Sequence, residues 1–340
     1  MDNRSALDKE NLLGVIDDLP KQLLFGRELT ESLTLPGEPK SIVLSGMGGS
    51  ALAAELVQTY LDLTLNKEKT KSPFRIFINR TYSLPPEAYQ PSCLNIISSY
   101  SGNTEETLSS FKEALKNSLP CLGMSSGGEV AKICQETKIP LVNLPVGIQP
   151  RMGIGYGFSA LLGLLAKAGK IADKSKELKS ASKKILGELK KSRATGKKIA
   201  AELAGKTPIV YASSHFKSLA LVWKIMFNEN AKTPAFWNCF PELNHNEMIG
   251  FSKPQAVFHL VTLEDPLDGE RNQKRFAITK EIFEKQQIKS FPVTIPRGEE
   301  IYRIFSTLQI GCYASYYLAI NYGVDPTPVG LVEEFKKRLG

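Results

Sequence analysis

The sequence predicts an α/β fold of two lobes, each a parallel sheet with helices on both faces. Three observations lead there. From residue 41 onward, short apolar runs alternate with amphipathic segments. The alternation stops at a lysine-rich stretch and restarts near residue 207. The runs themselves are apolar on both faces, which suits strands buried from two sides. A chain of 340 residues is long enough for two domains of ordinary size.

Taken in order, residues 1–35 read as a helical arm whose apolar stripe is Leu12, Ile16, Leu19, Leu23 and Leu24. The first lobe, 36–168, holds expected strands at Ser41–Ser45, Phe74–Ile78, Leu94–Ser98, Cys121–Met124 and Leu141–Leu144. Its expected helices are Ala51–Leu61, Glu105–Asn117, Glu129–Glu136 and Gly155–Ala168. A helical connector, 169–206, follows. Within it Ile171, Leu178, Ile185 and Leu189 share one face, as on a single long helix. The second lobe, 207–340, has expected strands Ile209–Ala212, Ala256–Leu263 and Ser290–Ile295. Phe216–Asn230, Arg271–Gln286, Glu299–Asn321 and Val329–Leu339 are its expected helices.

Composition narrows the function. The content, 42% hydrophobic and 23% charged, is that of an ordinary globular protein. No apolar run is long enough to span a bilayer, and Met-Asp-Asn-Arg-Ser opens the chain without a signal-like apolar region. The five cysteines are widely spaced and form no CxxC pair, so reduced thiols in the cytoplasm are expected, with neither disulfides nor a zinc site. The net charge of +8 is local: Lys170–Lys198 carries eleven Lys or Arg against three Asp or Glu, a surplus of eight. That stretch has one arginine and no aromatic residue, so it reads as a solvated helix face, and no nucleic-acid partner is expected.

Two loops stand at expected strand ends, where ligands of such folds bind. Gly46-Met47-Gly48-Gly49-Ser50-Ala51 follows one strand and opens a helix. Its glycines suit close approach to an anion, a tight strand–helix turn, or the G-x-G-x-x-A dinucleotide pattern. The last needs an acidic residue at the end of the second strand, where this chain has Asn79-Arg80. An NAD(P)-dependent oxidoreductase is therefore a weakened alternative. The second loop, Ser98-Ser99-Tyr100-Ser101-Gly102-Asn103-Thr104, gathers hydroxyls and an amide at a helix start. Those groups suit a phosphate monoester, while plain capping by Thr104 is the competing explanation.

Gly46–Ser50 and Ser99–Thr104 together resemble the sugar isomerase (SIS) domain, a flavodoxin-like sandwich that binds phosphosugars through its serine loop. The two-lobed layout is similar to the phosphoglucose isomerase superfamily. Gln149-Pro150-Arg151, Asn228-Glu229-Asn230-Ala231-Lys232 and Pro241-Glu242-Leu243-Asn244-His245-Asn246-Glu247 sharpen the likeness. With them the chain resembles the bifunctional phosphoglucose/phosphomannose isomerase family. The resemblance implies aldose–ketose isomerisation of sugar 6-phosphates without cofactor or metal. It also implies a homodimer whose ring-opening histidine comes from the partner subunit. A non-catalytic sugar-phosphate sensor is the other alternative, although no helix-turn-helix segment precedes residue 41.

Such a reaction needs a ring opener, a base working between C1 and C2, and stabilisation of the enediolate. Glu229, near the end of an apolar helix, is the candidate base, since a carboxylate at an apolar wall tends to be raised in pKa. Glu242 and Glu247 are rivals that spacing does not exclude. His245, in a polar run, suits ring opening; His259 reads as a packed core residue and His215 as a weaker candidate. Arg151 suits the enediolate charge. The resemblance places Lys336 at the sugar, with Lys337 adjacent, and gives Thr327 the position beside C2, with Val329 as its rival. Gly48, Gly49, Ser50, Ser99, Ser101 and Thr104 complete the expected substrate site.

Overall fold

Apolar runs that alternate with helices become the strands of two wholly parallel sheets. The computed structural model describes residues 4–68 and 74–339, so the first three residues of the expected arm lie outside it. By contacts the chain divides into two units, Asp18–Lys184 and Met1–Asp17 with Ile185–Gly340.

In the first unit the strands are β1 (Ser41–Ser45), β2 (Arg75–Asn79), β3 (Cys93–Ser98), β4 (Cys121–Ser125) and β5 (Leu141–Asn143). They lie in the order β2-β1-β3-β4-β5, the flavodoxin-like arrangement. Every residue of β3 and β4 is buried, as central strands covered on both faces require, whereas three of the five residues of the edge strand β2 are exposed or half-buried. Register pairs Ser45 with Asn79 and Ile97, so β1 and its neighbours end at one level. Glycine loops and serine loops thus leave the sheet side by side. One cluster of the core gathers Val43, Ile97, Phe111, Val130 and the thiols of Cys93, Cys121 and Cys134. Burial pushes the Cys121 thiol up to about 12 and that of Cys134 to about 11, which keeps both protonated and inert.

The second unit holds β6 (Thr207–Ser213), β7 (Phe236–Phe240), β8 (Phe258–Glu264) and β9 (Lys289–Thr294), in the order β7-β6-β8-β9. Helix Glu300–Asn321, buried along most of its length, packs on helices Leu189–Leu203 and Lys217–Ala231. His259 is buried in β8, as its apolar surroundings suggested; burial, with Lys206 beside it, lowers its pKa to about 4 and keeps the ring neutral.

Three expectations are corrected. The connector is two helices, Ser175–Gly187 and Leu189–Leu203, because the chain leaves helical geometry at Glu188 after a weak helix former. Glu188 there accepts a hydrogen bond from Tyr302 Oη at 2.9 Å. The arm is a series of short helical pieces, with Pro20 at the start of a 3₁₀ segment Leu19–Phe25. Leu12, Ile16, Leu19 and Leu23 are buried, but Leu24 is half exposed. Finally, β7 had no counterpart in the sequence reading. It is a five-residue edge strand, Phe-Trp-Asn-Cys-Phe, with Phe236 outward and Trp237, Asn238 and Cys239 half-buried, and its apolar residues are interrupted by Asn238 and stopped by Pro241.

Candidate active site

The order β2-β1-β3 makes the carboxyl ends of β1 and β3 a topological switch point, where open α/β sheets bind ligands. Both loops singled out in the sequence lie there, and they are tied together. Ser50 Oγ accepts from the Tyr100 N–H at 3.0 Å, and Ser98 Oγ donates to the Ser50 carbonyl at 2.9 Å. Inside the serine loop, the Ser99 and Thr104 hydroxyls share a hydrogen bond of 2.9 Å. Thr104 occupies the N-cap position of helix Glu105–Lys116 but makes no side-chain cap bond. Plain capping therefore does not account for its hydroxyl. Ser101 is exposed and its Oγ accepts from the Asn103 N–H at 3.3 Å.

Glycine is required here for space as well as conformation. Gly102 has φ +75°, and a Cβ on it would lie 1.9 Å from the Gly127 carbonyl oxygen. Gly48 has φ +48° with open space around it. A Cβ on Gly49 would lie 2.5 Å from Arg151 N and 2.6 Å from Pro150 C. The turn Pro150–Met152 thus rests directly on the start of helix Gly49–Glu68, and Arg151 is almost completely buried. A buried guanidinium keeps its charge where an ammonium tends to lose it. Arg151 is no exposed loop arginine.

At the second-strand end, where a dinucleotide site places an acid, Asn79 is buried. It donates to Ser45 Oγ, the Ser83 carbonyl and Ser110 Oγ. Arg80, the residue left for a 2′-phosphate, is paired with Glu55 at 2.7 Å. Both groups are engaged by the protein, which counts against the dinucleotide alternative. Tyr100 is the organiser that sequence reasoning passed over. Its hydroxyl donates to the Pro145 carbonyl at 2.6 Å, and its own carbonyl accepts from Ser126 Oγ at 2.6 Å. The one available signal was a tyrosine among small hydroxyl residues, since a partly buried phenol needs a partner.

In the second unit, Glu229 is half-buried near the end of helix Lys217–Ala231, above the buried side chains of Leu219, Val222 and Met226. Lys232 follows with φ +55°. Its ammonium donates to the carbonyls of Glu229 at 2.6 Å, Asn230 at 3.3 Å and Pro326 at 3.1 Å. One cation thereby joins the backbone of Glu229 to the turn before Thr327, which is buried with its N–H on Asp325 Oδ1 at 3.0 Å. Glu229 and Thr327, separated by 98 positions in sequence, are brought together through Lys232. Val329 is half-buried two residues on.

His245 ends the short helix Glu242–His245 and is exposed. With Asn244, Met248, Phe251, Ile282 and Phe283 it lines a cavity of about 310 Å³. Of the rival bases, Glu247 has both carboxylate oxygens engaged, by the Tyr211 hydroxyl and the Asn238 amide. Glu242 is exposed and accepts from Asn246 Nδ2 at 3.1 Å. His215, half exposed beyond β6, has Nδ1 at 3.1 Å from Asp268 Oδ1. Lys336 and Lys337 are both exposed on helix Gly330–Leu339, none of whose residues is buried. Among the described residues, no group of three or more His, Cys, Asp or Glu side chains is placed to hold a metal ion, and no helix is long and apolar enough to cross a membrane.

Known proteins match this chain at three levels. The family described as bacterial phospho-glucose isomerase C-terminal SIS domain matches residues 192–339. A bifunctional phosphoglucose/phosphomannose isomerase of Caldicellulosiruptor bescii is 33% identical over 337 residues, covering 95% of this chain and 97% of the relative. That of Thermoplasma volcanium is 34% identical, covering 89% and 92%. In fold, tagatose-6-phosphate ketose/aldose isomerase from Escherichia coli superposes with a TM-score of 0.68 over 93% of this chain and 94% of its own, at 14% identity. This last likeness bears on architecture alone.

Proposed function

We propose, since this chain belongs to the bifunctional phosphoglucose/phosphomannose isomerase family, that it interconverts fructose 6-phosphate with glucose 6-phosphate and mannose 6-phosphate. The observation that carries the reading is the pair of tied loops at the β1/β3 switch point, rich in hydroxyls and beside a buried arginine turn. Hydroxyls of Ser50, Ser99, Ser101 and Thr104, with the backbone N–H groups of Gly48 and Gly49, match the terminal oxygens of a phosphate monoester and take that role. His245 moves the ring proton that opens the sugar. Glu229 then carries a proton between C1 and C2, and Arg151 offsets the charge of the enediolate. Lys336 contacts the sugar, for which the family likeness is the support.

Glucose and mannose phosphates differ only at C2, so one planar enediolate serves both. Which forms depends on the face that receives the proton. The tie from Glu229 through Lys232 to the Thr327 turn supports placing Thr327 beside C2. We take the working enzyme to be a cytoplasmic homodimer with shared active sites, needing neither cofactor nor metal. A coupled assay on fructose 6-phosphate, run in excess EDTA, that reports the two aldoses separately tests the reading. Both products are expected. A single aldose rejects dual specificity, and loss of turnover that zinc restores rejects the metal-free mechanism.

A further inference from the structure

A histidine on an exposed surface segment can open a sugar ring only if its imidazole is held still. The residues around His245 are held by side chains whose own chemistry is then used up. Leu243, two positions before it, is fully buried in a cluster with Tyr211, Phe240, Phe276 and Phe283. Asn244 is gripped by helix Glu270–Lys285: its Oδ1 accepts from Arg275 Nη1 at 3.0 Å, and its Nδ2 donates to Thr279 Oγ1 at 3.0 Å. On the other side, Glu247 accepts from the hydroxyl of Tyr211, a buried residue in the body of β6, and from the side-chain amide of Asn238 in β7. Burial, reinforced by the bond to Glu247, raises the Tyr211 hydroxyl far above its ordinary pKa, so it stays a donor. His245 alone of this set faces solvent.

We infer that Glu247 and Asn244 are positioning residues for His245, fixing its imidazole for ring opening while taking no part in proton transfer at C1 and C2. The inference rests on His245 being the ring opener. It also turns Glu247, a rival base by sequence, into a fixed strut: each of its carboxylate oxygens is held by a side chain of the sheet, Tyr211 in β6 and Asn238 in β7. Glu247→Gln preserves size but replaces one acceptor oxygen with a donor, facing either the Tyr211 hydroxyl or the Asn238 amide. That loosens the far side of the segment with little change of volume. Asn244→Ala releases the near side from Arg275 and Thr279.

Two substrates separate positioning from general damage. Fructose 6-phosphate must be opened; 5-deoxyfructose 6-phosphate lacks the hydroxyl that closes the furanose ring and is open from the start. For both variants, kcat on fructose 6-phosphate is expected to fall by about tenfold or more with KM nearly unchanged, as an oriented group moved by a fraction of an ångström implies. Turnover of the 5-deoxy compound should stay within about twofold of wild type, because the base and the enediolate contacts are untouched. Adding Glu247→Gln to His245→Ala should lower turnover no further. Tyr211→Phe, which removes one of the two bonds to Glu247 and keeps the ring, provides the same comparison if Glu247→Gln folds poorly. Equal losses on both substrates, or additive losses in the double variant, overturn the inference while leaving the His245 assignment intact. If His245→Ala itself shows no difference between the two substrates, the ring-opening assignment falls and the positioning role falls with it.

Discussion

Gly49→Ala adds one methyl group, and the structure says where it goes. A Cβ at that position lies 2.5, 2.6 and 2.8 Å from three backbone atoms of Pro150 and Arg151, against 3.4 Å where ordinary contact begins. The turn must therefore retreat by about 0.9 Å, because no flexible side-chain end is available to yield. Overpacking of this kind destabilises by roughly 1–3 kcal/mol, and a denaturant midpoint read with its slope reports that loss directly. The kinetic consequence is larger. A displacement near 1 Å at a charge-stabilising group costs on the order of 10²-fold in rate, so kcat should fall far more than the stability change suggests, with the fold retained by circular dichroism. Gly187→Ala, at a site with nothing within 4 Å of the added Cβ, is the comparison and should leave turnover unchanged. Wild-type kcat together with an unshifted midpoint for Gly49→Ala would refute the dependence of Arg151 on the glycine start of the helix.

Other substitutions test the remaining assignments. Glu229→Gln should abolish turnover with sugar-phosphate binding retained, since general bases contribute roughly 10²–10⁴-fold; activity above about a tenth of wild type would move the base to Glu242, whose carboxylate is exposed. Mixing Glu229→Gln chains with His245→Ala chains should restore activity if the histidine crosses a dimer interface, and silent heterodimers would show that it does not. Ser101→Ala with Thr104→Ala should raise KM for sugar phosphates and weaken inorganic phosphate, at about 1.5–3 kcal/mol per charge-assisted contact; an unchanged KM would remove the phosphate from that loop. Thr327→Gln should suppress the mannose product more than the glucose product in the two-aldose assay, and an unaltered ratio would pass the role to Val329.

What could be read from the sequence follows a physical line. Central strands declare themselves, because burial on both faces makes Cys93–Ser98 and Cys121–Ser125 short runs of mostly apolar or small residues, each followed by a helical pattern. Edge strand β7, Phe-Trp-Asn-Cys-Phe with Asn238 spent on Glu247, is followed by the polar run 241–247 and not by a long helical pattern, so the alternation did not point to it. The connector kept its apolar spacing across Gly187 and Glu188, so periodicity alone could not locate the break. At the site, loops whose parts are adjacent in sequence were legible: the glycines after β1 and the hydroxyls after β3. Tyr100, Lys232 and Glu247 were not, because each acts through a distant partner, Pro145, Pro326 or Tyr211. A lysine that ends a helix looks the same in sequence whether its ammonium meets water or three carbonyls.

The hydrogen bond between the Ser99 and Thr104 hydroxyls uses one of their two protons and leaves the other for whatever occupies that loop. An incoming oxygen takes that second proton with the pair intact, and only a ligand that takes both must part it, giving up roughly 0.5–1.5 kcal/mol of net bonding. A carboxamide or an alcohol, with one neutral acceptor oxygen to offer, takes the second proton alone and gains a single modest bond. A phosphate monoester brings three terminal oxygens and two negative charges, so it can take both hydroxyls at once and return more than it displaced. The loop therefore discriminates by counting acceptors before shape enters. Free sugars, which carry no such group, should pass it by even at concentrations that saturate it with their phosphates.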